Sequence, residues 1–300
     1  MREALTGSMR WMTSPAVDAG ARAQDTGLLV LRVLLGLMWL YNVDWKRAPD
    51  FGEGAGNGLY RFTEYAVSYP VLAPYAWVVD HFVLPNIVPF GYGVIVAETA
   101  LAVLLLTGAY VRAAAALGVA QSLAIALSVA FAPHEWPWSY WLMIGAHLVL
   151  LLAASARRGA VDAVRAGDAS ATPLARVWGT LALLVGSYSA VLSLGEPLAA
   201  RGPGIRSTDL SVSLGQYNLL GGLLLALVGV LVLIGSRPGV SARLPLVAAV
   251  LATVGALSLH AQLGFSDPLL GGTPTSAAFL LCLAVVATLL TTTDSPKGRS

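Results

Sequence analysis

Eight long apolar runs constrain this sequence more than any other feature. A run of about 20 apolar residues can cross a ~30 Å hydrocarbon core as a helix. The predicted spans are 27–45, 88–109, 111–131, 138–156, 175–194, 217–235, 244–264 and 275–292. Only 11% of the 300 residues are charged, against about 25% in a soluble domain. In lipid only helices or closed barrels satisfy the backbone, and these runs lack the alternation of barrel strands. The sequence therefore predicts an all-α integral membrane protein.

The basic residues predict the orientation of these helices. Eight spans place both termini on one side, where the tails and loops carry twelve Lys and Arg residues. The opposite, outer side carries five: Lys46, Arg47, Arg61, Arg201 and Arg206. Cytoplasmic loops are enriched in Lys and Arg, so the N- and C-termini are predicted to be cytoplasmic, in a bacterial-type cytoplasmic membrane. Residues 1–26 lack the short apolar core and cleavage site of a signal peptide and are predicted to form a retained tail.

The polar stretch 157–174 predicts a cytoplasmic linker between two four-helix halves. The first half, 27–156, carries a long outer cap at 46–87, and the second covers 175–292 before a short tail at 293–300. Twenty of the 25 aromatic residues lie within 1–150, so any site is expected in the first half. A single cysteine, Cys282, excludes an intrachain disulfide or a Cys-based metal site. No residue set indicates a metal, a flavin or a nucleic acid partner.

The outer loops of the first half are rich in aromatic residues. In 56–70, Leu59, Phe62, Ala66 and Tyr69 share one helical face, which predicts an amphipathic helix in the membrane interface. The quinone-binding candidates in and near these loops are Asn42, Trp45, Lys46, Tyr92, His134, Trp136 and Trp138. The tryptophans are typical of an interfacial belt. Alternatively, they form a lid over a pocket for a flat amphipathic ligand such as a quinone.

Four polar residues are predicted to lie at a similar depth, one on each helix of the first half. They are Arg32, Glu98, Gln121 and His147. Charges in lipid face the bundle interior and pair with one another. One interpretation is a structural ion pair between Arg32 and Glu98 with Gln121 and His147 bonded to it. The other is that Glu98 and His147 carry protons for chemistry at the outer side.

Lys46 follows the first helix on the same face as Arg32. Steps of three and four residues link Arg32, Gly36, Trp39, Val43 and Lys46. From this position Lys46 could hold an anionic substrate or a quinone carbonyl, or it could simply extend to the interface.

Several of these patterns resemble those of the DoxX/DoxD membrane proteins. Arg32, Gly36, Asn42 and "NVDWKRAPDFG" are similar to the first helix of the DoxD-like branch. The segments "AETALAVLLLTGAYVRAAA" and "WSYWLMIGAHLVLLLAASARRGAVDA" resemble later helices, and the resemblance covers about 27–163. It implies a four-helix bundle, a membrane quinone and an outer-face electron donor, as in the DoxD subunit of thiosulfate:quinone oxidoreductase. The pattern residues that transfer are Arg32, Asn42, Trp45, Lys46 and Glu98.

Three functions are compatible with the sequence. The first is a redox subunit that passes electrons from an outer-face sulfur donor to quinone, either directly or through a partner protein on the outer face. Lys46 would then hold the anion, and Glu98 with His147 would handle protons. The second is a non-enzymatic scaffold or assembly subunit. The third is a small-molecule transporter. Residues 164–300 have no counterpart in the resemblance, and a packing role is the default for them.

Overall fold

The computed structural model describes residues 21–207, 212–262 and 269–293. Most of the two predicted tails therefore lies outside the described residues. The helices are α1 (Ala21–Trp45), α2 (Gly58–Ser68), α3 (Ala73–Val78), α4 (Ile87–Thr107), α5 (Val111–Val129), α6 (Pro137–Leu152), α7 (Val161–Arg165), α8 (Ala171–Leu192), α9 (Leu219–Gly235), α10 (Arg243–Ala261) and α11 (Pro274–Thr293). Strands β1 (Gly204–Ser207) and β2 (Val212–Gln216) form an antiparallel hairpin.

The helices give the protein the architecture of an all-α, multi-pass membrane protein. Six helical segments are long and apolar enough to cross a membrane: α1, Ala73–Thr107, α5, α8, α10 and α11. Helices α6 and α9 are also apolar but shorter, at 16 and 17 residues. Each of the eight predicted spans overlaps one of these helices.

The helix leading into α4 begins well before the position that the sequence analysis predicted. The prediction placed residues up to 87 in an outer cap, whereas one apolar helical segment runs from Ala73 to Thr107. Pro74 occupies the first turn of α3, where its missing N–H costs nothing. A π-turn at Val79–Val83 and a 3-10 turn at Leu84–Asn86 then carry the chain past Pro85. These irregular turns allow a proline inside a long helix without ending it.

The predicted amphipathic helix of the cap exists as α2, with a slightly different buried face. Leu59, Thr63 and Ala66 are buried, while Phe62 is 38% exposed and Tyr69 39% exposed. Helix α2 packs on α5. Contact with α5, and not with lipid alone, therefore determines which face of α2 is buried. On its exposed side Arg61 donates a hydrogen bond to the Tyr65 hydroxyl at 2.9 Å, which raises the pKa of Arg61.

Glycines set the close packing of the second half. Helices α8 and α9 pack along most of their length. A Cβ at Gly186 would lie 2.5 Å from the Ala226 amide nitrogen, and one at Gly229 would lie 2.7 Å from the Gly179 carbonyl oxygen. Small residues let membrane helices approach to backbone contact in this way.

Helix α11 joins the two halves into one unit. It packs on α8, α9 and α10 of the second half and on α1 and α4 of the first. The hairpin, which the all-α prediction did not include, lies against α1 and α11. Tyr217, at the end of the hairpin, is fully buried. We call the end of the molecule that carries the hairpin and residues 46–72 the cap end.

Candidate functional site

A buried ion pair lies at the cap end of the first bundle. Lys46 follows directly after α1, and its Nζ lies 2.7 Å from Glu98 Oε2 on α4. The two residues are only 4% and 0% exposed. Lys46 also donates to the Asn42 carbonyl at 2.9 Å, and its Nζ lies 4.0 Å from the centre of the Trp45 ring. A buried charge needs such a partner, because an unpaired one is very costly.

The ion pair lines a cavity of about 440 Å³ beneath the cap. Helices α1 to α6, the turn that follows α3 and the loop before α6 line it. Most of the lining is apolar or aromatic, as in typical small-molecule sites. The lining residues with polar side chains are Asn42, Lys46, Thr63, Tyr75, Glu98, Gln121, Ser128, Glu135 and Tyr140, together with the Trp45 indole.

Further polar contacts stabilise the wall of the cavity. Tyr75 bonds to Ser128 Oγ at 2.9 Å and donates to the Ala124 carbonyl at 3.1 Å. Tyr140 donates to the Glu135 carboxylate. Gln121 and Glu98 both line the cavity. The cavity therefore combines an apolar body with several polar groups.

The structure brings some of the predicted quinone-binding residues together and separates others. Asn42, Trp45 and Lys46 line the cavity. The other four candidates, Tyr92, His134, Trp136 and Trp138, do not. Tyr92 packs edge-on against Phe51, with ring centres 5.2 Å apart. His134 is exposed, and Trp136 and Trp138 pack on each other and are 63% and 55% exposed.

The aromatic wall of the cavity comes instead from Trp45 and Phe62, whose rings meet edge to face at 5.4 Å. Sequence reasoning did not select Tyr75, Glu135 or Tyr140 as site residues. Glu135 had a usable signal, since it is the one carboxylate in the aromatic loop "FAPHEWPWSYW". Tyr75 had none, because it lies in an apolar stretch that is folded over the cavity.

The predicted ion pair between Arg32 and Glu98 is wrong. Arg32 is fully buried, but its Nη1 donates to the Leu105 carbonyl and its Nη2 to the Gly159 carbonyl, each at 2.7 Å. Leu105 follows Glu98 by seven residues, about 10 Å along α4. Arg32 therefore binds at the C-terminal end of α4, where helix carbonyls lack partners and a cation is favoured. Lys46 takes the place at Glu98 that was predicted for Arg32.

His147 is buried in a separate contact. Its Nε2 accepts a hydrogen bond from Trp39 Nε1 at 2.9 Å, and its Nδ1 lies 2.7 Å from the Met143 carbonyl. An N–H on Nδ1 and a lone pair on Nε2 satisfy both contacts. His147 does not line the cavity. The four predicted layer residues thus separate into Glu98 with Gln121, His147 with Trp39, and Arg32 at the far end of α4.

Among residues 21–207, 212–262 and 269–293, no group of three or more His, Cys, Asp and Glu side chains is placed to hold a metal ion. Comparison of the chain with protein-family models, curated proteins and solved structures gave no match. The resemblance to the DoxX/DoxD proteins therefore depends on the sequence motifs alone.

Proposed function

We propose that this protein is a membrane redox subunit of the DoxX/DoxD type that binds a quinone in the cavity beneath the cap. Its electrons would come from an outer-face sulfur donor such as thiosulfate, directly or through a partner protein. The observation that carries the proposal is the buried Lys46–Glu98 pair in the wall of an otherwise largely apolar cavity.

The cavity has the size and chemistry that a quinone head group requires. Small-molecule sites range from about 300 to 1,000 Å³ and combine apolar walls with a few placed polar groups, and this cavity has about 440 Å³. Trp45 and Phe62 offer ring faces to a flat molecule. The Lys46 ammonium can donate a hydrogen bond to a quinone carbonyl. Glu98 can accept or release a proton when the quinone gains or loses electrons.

The proposal includes the orientation of the chain. Eight spans with cytoplasmic termini would place the cavity near the outer face of a cytoplasmic membrane, close to a donor in the outer space. The apolar character of α6 and α9 supports eight spans, although at 16 and 17 residues they extend only about 24 and 26 Å. The excess of basic residues on the loops of one side supports the orientation.

A scaffold subunit is the second candidate, and the exposed aromatic surface favours it. Trp136, Trp138 and Trp141 are each more than half exposed at the cap end. Exposed tryptophans are frequent at binding surfaces as well as at lipid headgroups. In this function the Lys46–Glu98 pair would only fix the bundle.

Binding of a decyl-quinone to the purified protein distinguishes the two functions. We expect saturable binding by the wild type, weakened at least tenfold in the double variant Lys46→Met/Glu98→Met. Removal of both charges avoids leaving one buried charge unpaired. The unfolding midpoint should therefore stay close to that of the wild type and serves as the check on folding.

A matched pair of substitutions tests the position of the site. Trp45→Leu removes a cavity wall and should weaken binding, whereas Trp138→Leu, outside the cavity, should not. Thiosulfate-dependent quinone reduction should follow the same order. No saturable binding by the wild type, or an equal loss in both tryptophan variants, would exclude the quinone site and favour the scaffold.

A further inference from the structure

A second, much smaller pocket lies at the cap end where the two halves of the chain meet. It has a volume of about 50 Å³. Residues of three segments line it: Asp44 in the last turn of α1 with Lys46 to Ala48 just after it, the loop and hairpin of the second half, and the start of α11. A pocket of this size holds a small ion, and it is far below the range for drug-sized molecules.

Most of the basic residues of one side of the protein converge on this pocket. Of the five Lys and Arg residues on the predicted outer side, four line it: Lys46, Arg47, Arg201 and Arg206. The fifth, Arg61, lies on α2 and bonds to Tyr65. The four residues come from both halves of the chain, so the convergence exists only in the folded protein.

The charges of the pocket are not balanced by its lining carboxylate. Lys46 is paired with Glu98. Without counting Arg47, Arg201 and Arg206 carry two positive charges. Asp44, the one lining carboxylate among the described residues, carries one negative charge, so one positive charge remains. Neither Arg201 nor Arg206 has a side-chain hydrogen bond or an ion pair with any described residue.

Neutral donors and a helix end add to this positive environment. Gln216 lines the pocket, and its Nε2 uses one of its two N–H groups on the Gly202 carbonyl at 3.0 Å. The Thr273 hydroxyl is also in the lining but is bonded to Thr275 and Ser276, and Pro274 is the first residue of α11. The N-terminal end of a 20-residue helix carries a partial positive charge. Converging guanidinium groups, amide donors and a helix N-terminus are the usual components of a site for a small oxyanion.

We propose that this pocket binds a small tetrahedral oxyanion, of the size and charge of sulfate or phosphate, between the two halves of the protein. Arg201 and Arg206 are its main ligands, so the second half has a binding role in addition to packing. The inference stands on this geometry alone and holds whether or not the larger cavity binds a quinone. Lys46 lines both sites and would couple them electrostatically.

Isothermal titration of sulfate and phosphate into the full-length protein in nanodiscs tests the proposal. At constant ionic strength we expect saturable binding of one ion per chain. The double variant Arg201→Gln/Arg206→Gln should weaken it at least tenfold, while the matched control Arg61→Gln should leave it unchanged. An unaltered unfolding midpoint in the absence of sulfate shows that the double variant is folded. No saturable binding of either ion, or an equal loss in Arg61→Gln, would overturn the site.

The phosphate of a lipid headgroup has the same chemistry and could fill the pocket instead. Sulfate titrations in dodecyl maltoside, a detergent without phosphate, and in nanodiscs of anionic phosphatidylglycerol separate the two sources. Equal affinities support a free ion. A loss of sulfate binding in the anionic nanodiscs alone would identify the headgroup as the occupant and overturn the assignment to a free ion. Decyl-quinone binding by Arg201→Gln/Arg206→Gln should be retained, which separates failure of this site from failure of the quinone site.

Discussion

Lys46 and Arg32 are two buried cations of the first bundle, and each has a different kind of partner. Lys46 is balanced by a carboxylate, Glu98, at 2.7 Å. Arg32 donates hydrogen bonds to backbone carbonyl oxygens at the end of α4 and at the turn before α7. The planar guanidinium has five donors and reaches several carbonyls at once, whereas an ammonium acts as a point charge. Each cation therefore has the partner that suits its geometry, and the two are expected to act independently.

Substitution of Arg32 tests this independence. Arg32→Met leaves the buried carbonyls without donors and should lower the free energy of unfolding by at least about 1.5–3 kcal/mol, the contribution of one hydrogen bond to a charged group. Arg32→Lys should recover only part of it. The effects of Arg32→Met and Glu98→Gln should add to within about 0.5 kcal/mol, as measured by reversible unfolding in mixed micelles. A coupling energy above about 1 kcal/mol between the two substitutions would instead support the Arg32–Glu98 ion pair that the sequence predicted.

For these individual residues, the sequence predicted which ones would be polar and buried but not how they pair. Arg32, Glu98, Gln121 and His147 were selected because their helices are apolar, and three of the four are fully buried. Their depths were estimated from helix ends, which carry no information on tilt or rotation. Lys46 was predicted either to hold an anion or a quinone carbonyl or to extend to the interface, and it is only 4% exposed. A flexible four-carbon stem lets a residue beyond a helix end reach inward, and only the packed structure shows this.

Helix pairs in this protein are held close by small residues, and α5 with α6 is one such pair that also lines the site. A Cβ at Gly118 of α5 would lie 2.1 Å from Cδ2 of the His147 ring on α6. The glycine therefore makes room for the imidazole that accepts the Trp39 hydrogen bond. On α6 itself, Gly145 has no atom within 4 Å of a built Cβ, so it has no such role.

Gly118→Ala and Gly145→Ala form a matched pair that tests this packing. Gly118→Ala should lower the free energy of unfolding by about 1–3 kcal/mol, since the ring must move. Gly145→Ala should be neutral or stabilise the helix by up to about 1 kcal/mol, the difference in helix propensity. Thermal or denaturant unfolding in detergent measures both. If the two substitutions have the same effect, the Gly118–His147 contact does not determine the packing of these helices.

The elements themselves were predictable to different degrees. Each predicted span overlaps an apolar helix, because apolar run length is a direct physical signal. The extension of the α4 helix back to Ala73 was missed. Pro74 and Pro85 lie in this stretch, and a proline is rare in the interior of a helix. The hairpin at Gly204–Gln216 was missed as well. Its strands are short, and they are held by contact with α1 and α11, which no local pattern records.

The whole molecule is more integrated than two separate halves would be. Helix α11 contacts helices of both halves, and the residues of the oxyanion pocket come from both. The sequence predicted the division at 157–174 from its polar composition. It could not predict that the cap-end loops of the second half would meet the end of α1, because contacts between distant segments depend on how the helices are arranged around α11.

The orientation of the chain can be tested with three single-cysteine substitutions at exposed positions. Ala55 lies in the cap, Ala166 follows α7, and Ser241 lies between α9 and α10. Three predicted spans separate 55 from 166, and two separate 166 from 241. We therefore expect Ala55→Cys to react with a membrane-impermeant maleimide in intact spheroplasts, and the other two to react only after permeabilisation.

The native thiol should not interfere with this labelling, because Cys282 is fully buried. The wild-type chain is thus the background control, and permeabilised cells give the total reactivity of each variant. Because α6 lies between 55 and 166 and α9 between 166 and 241, the pattern reports on the two short helices in particular. Outside labelling of Ala166→Cys together with Ala55→Cys would mean that the chain between them crosses the membrane an even number of times. If Ser241→Cys is labelled from outside and Ala166→Cys is not, then either α8 or α9 does not cross the membrane. Labelling of Ala55→Cys would still show on which side of the membrane the cap end lies.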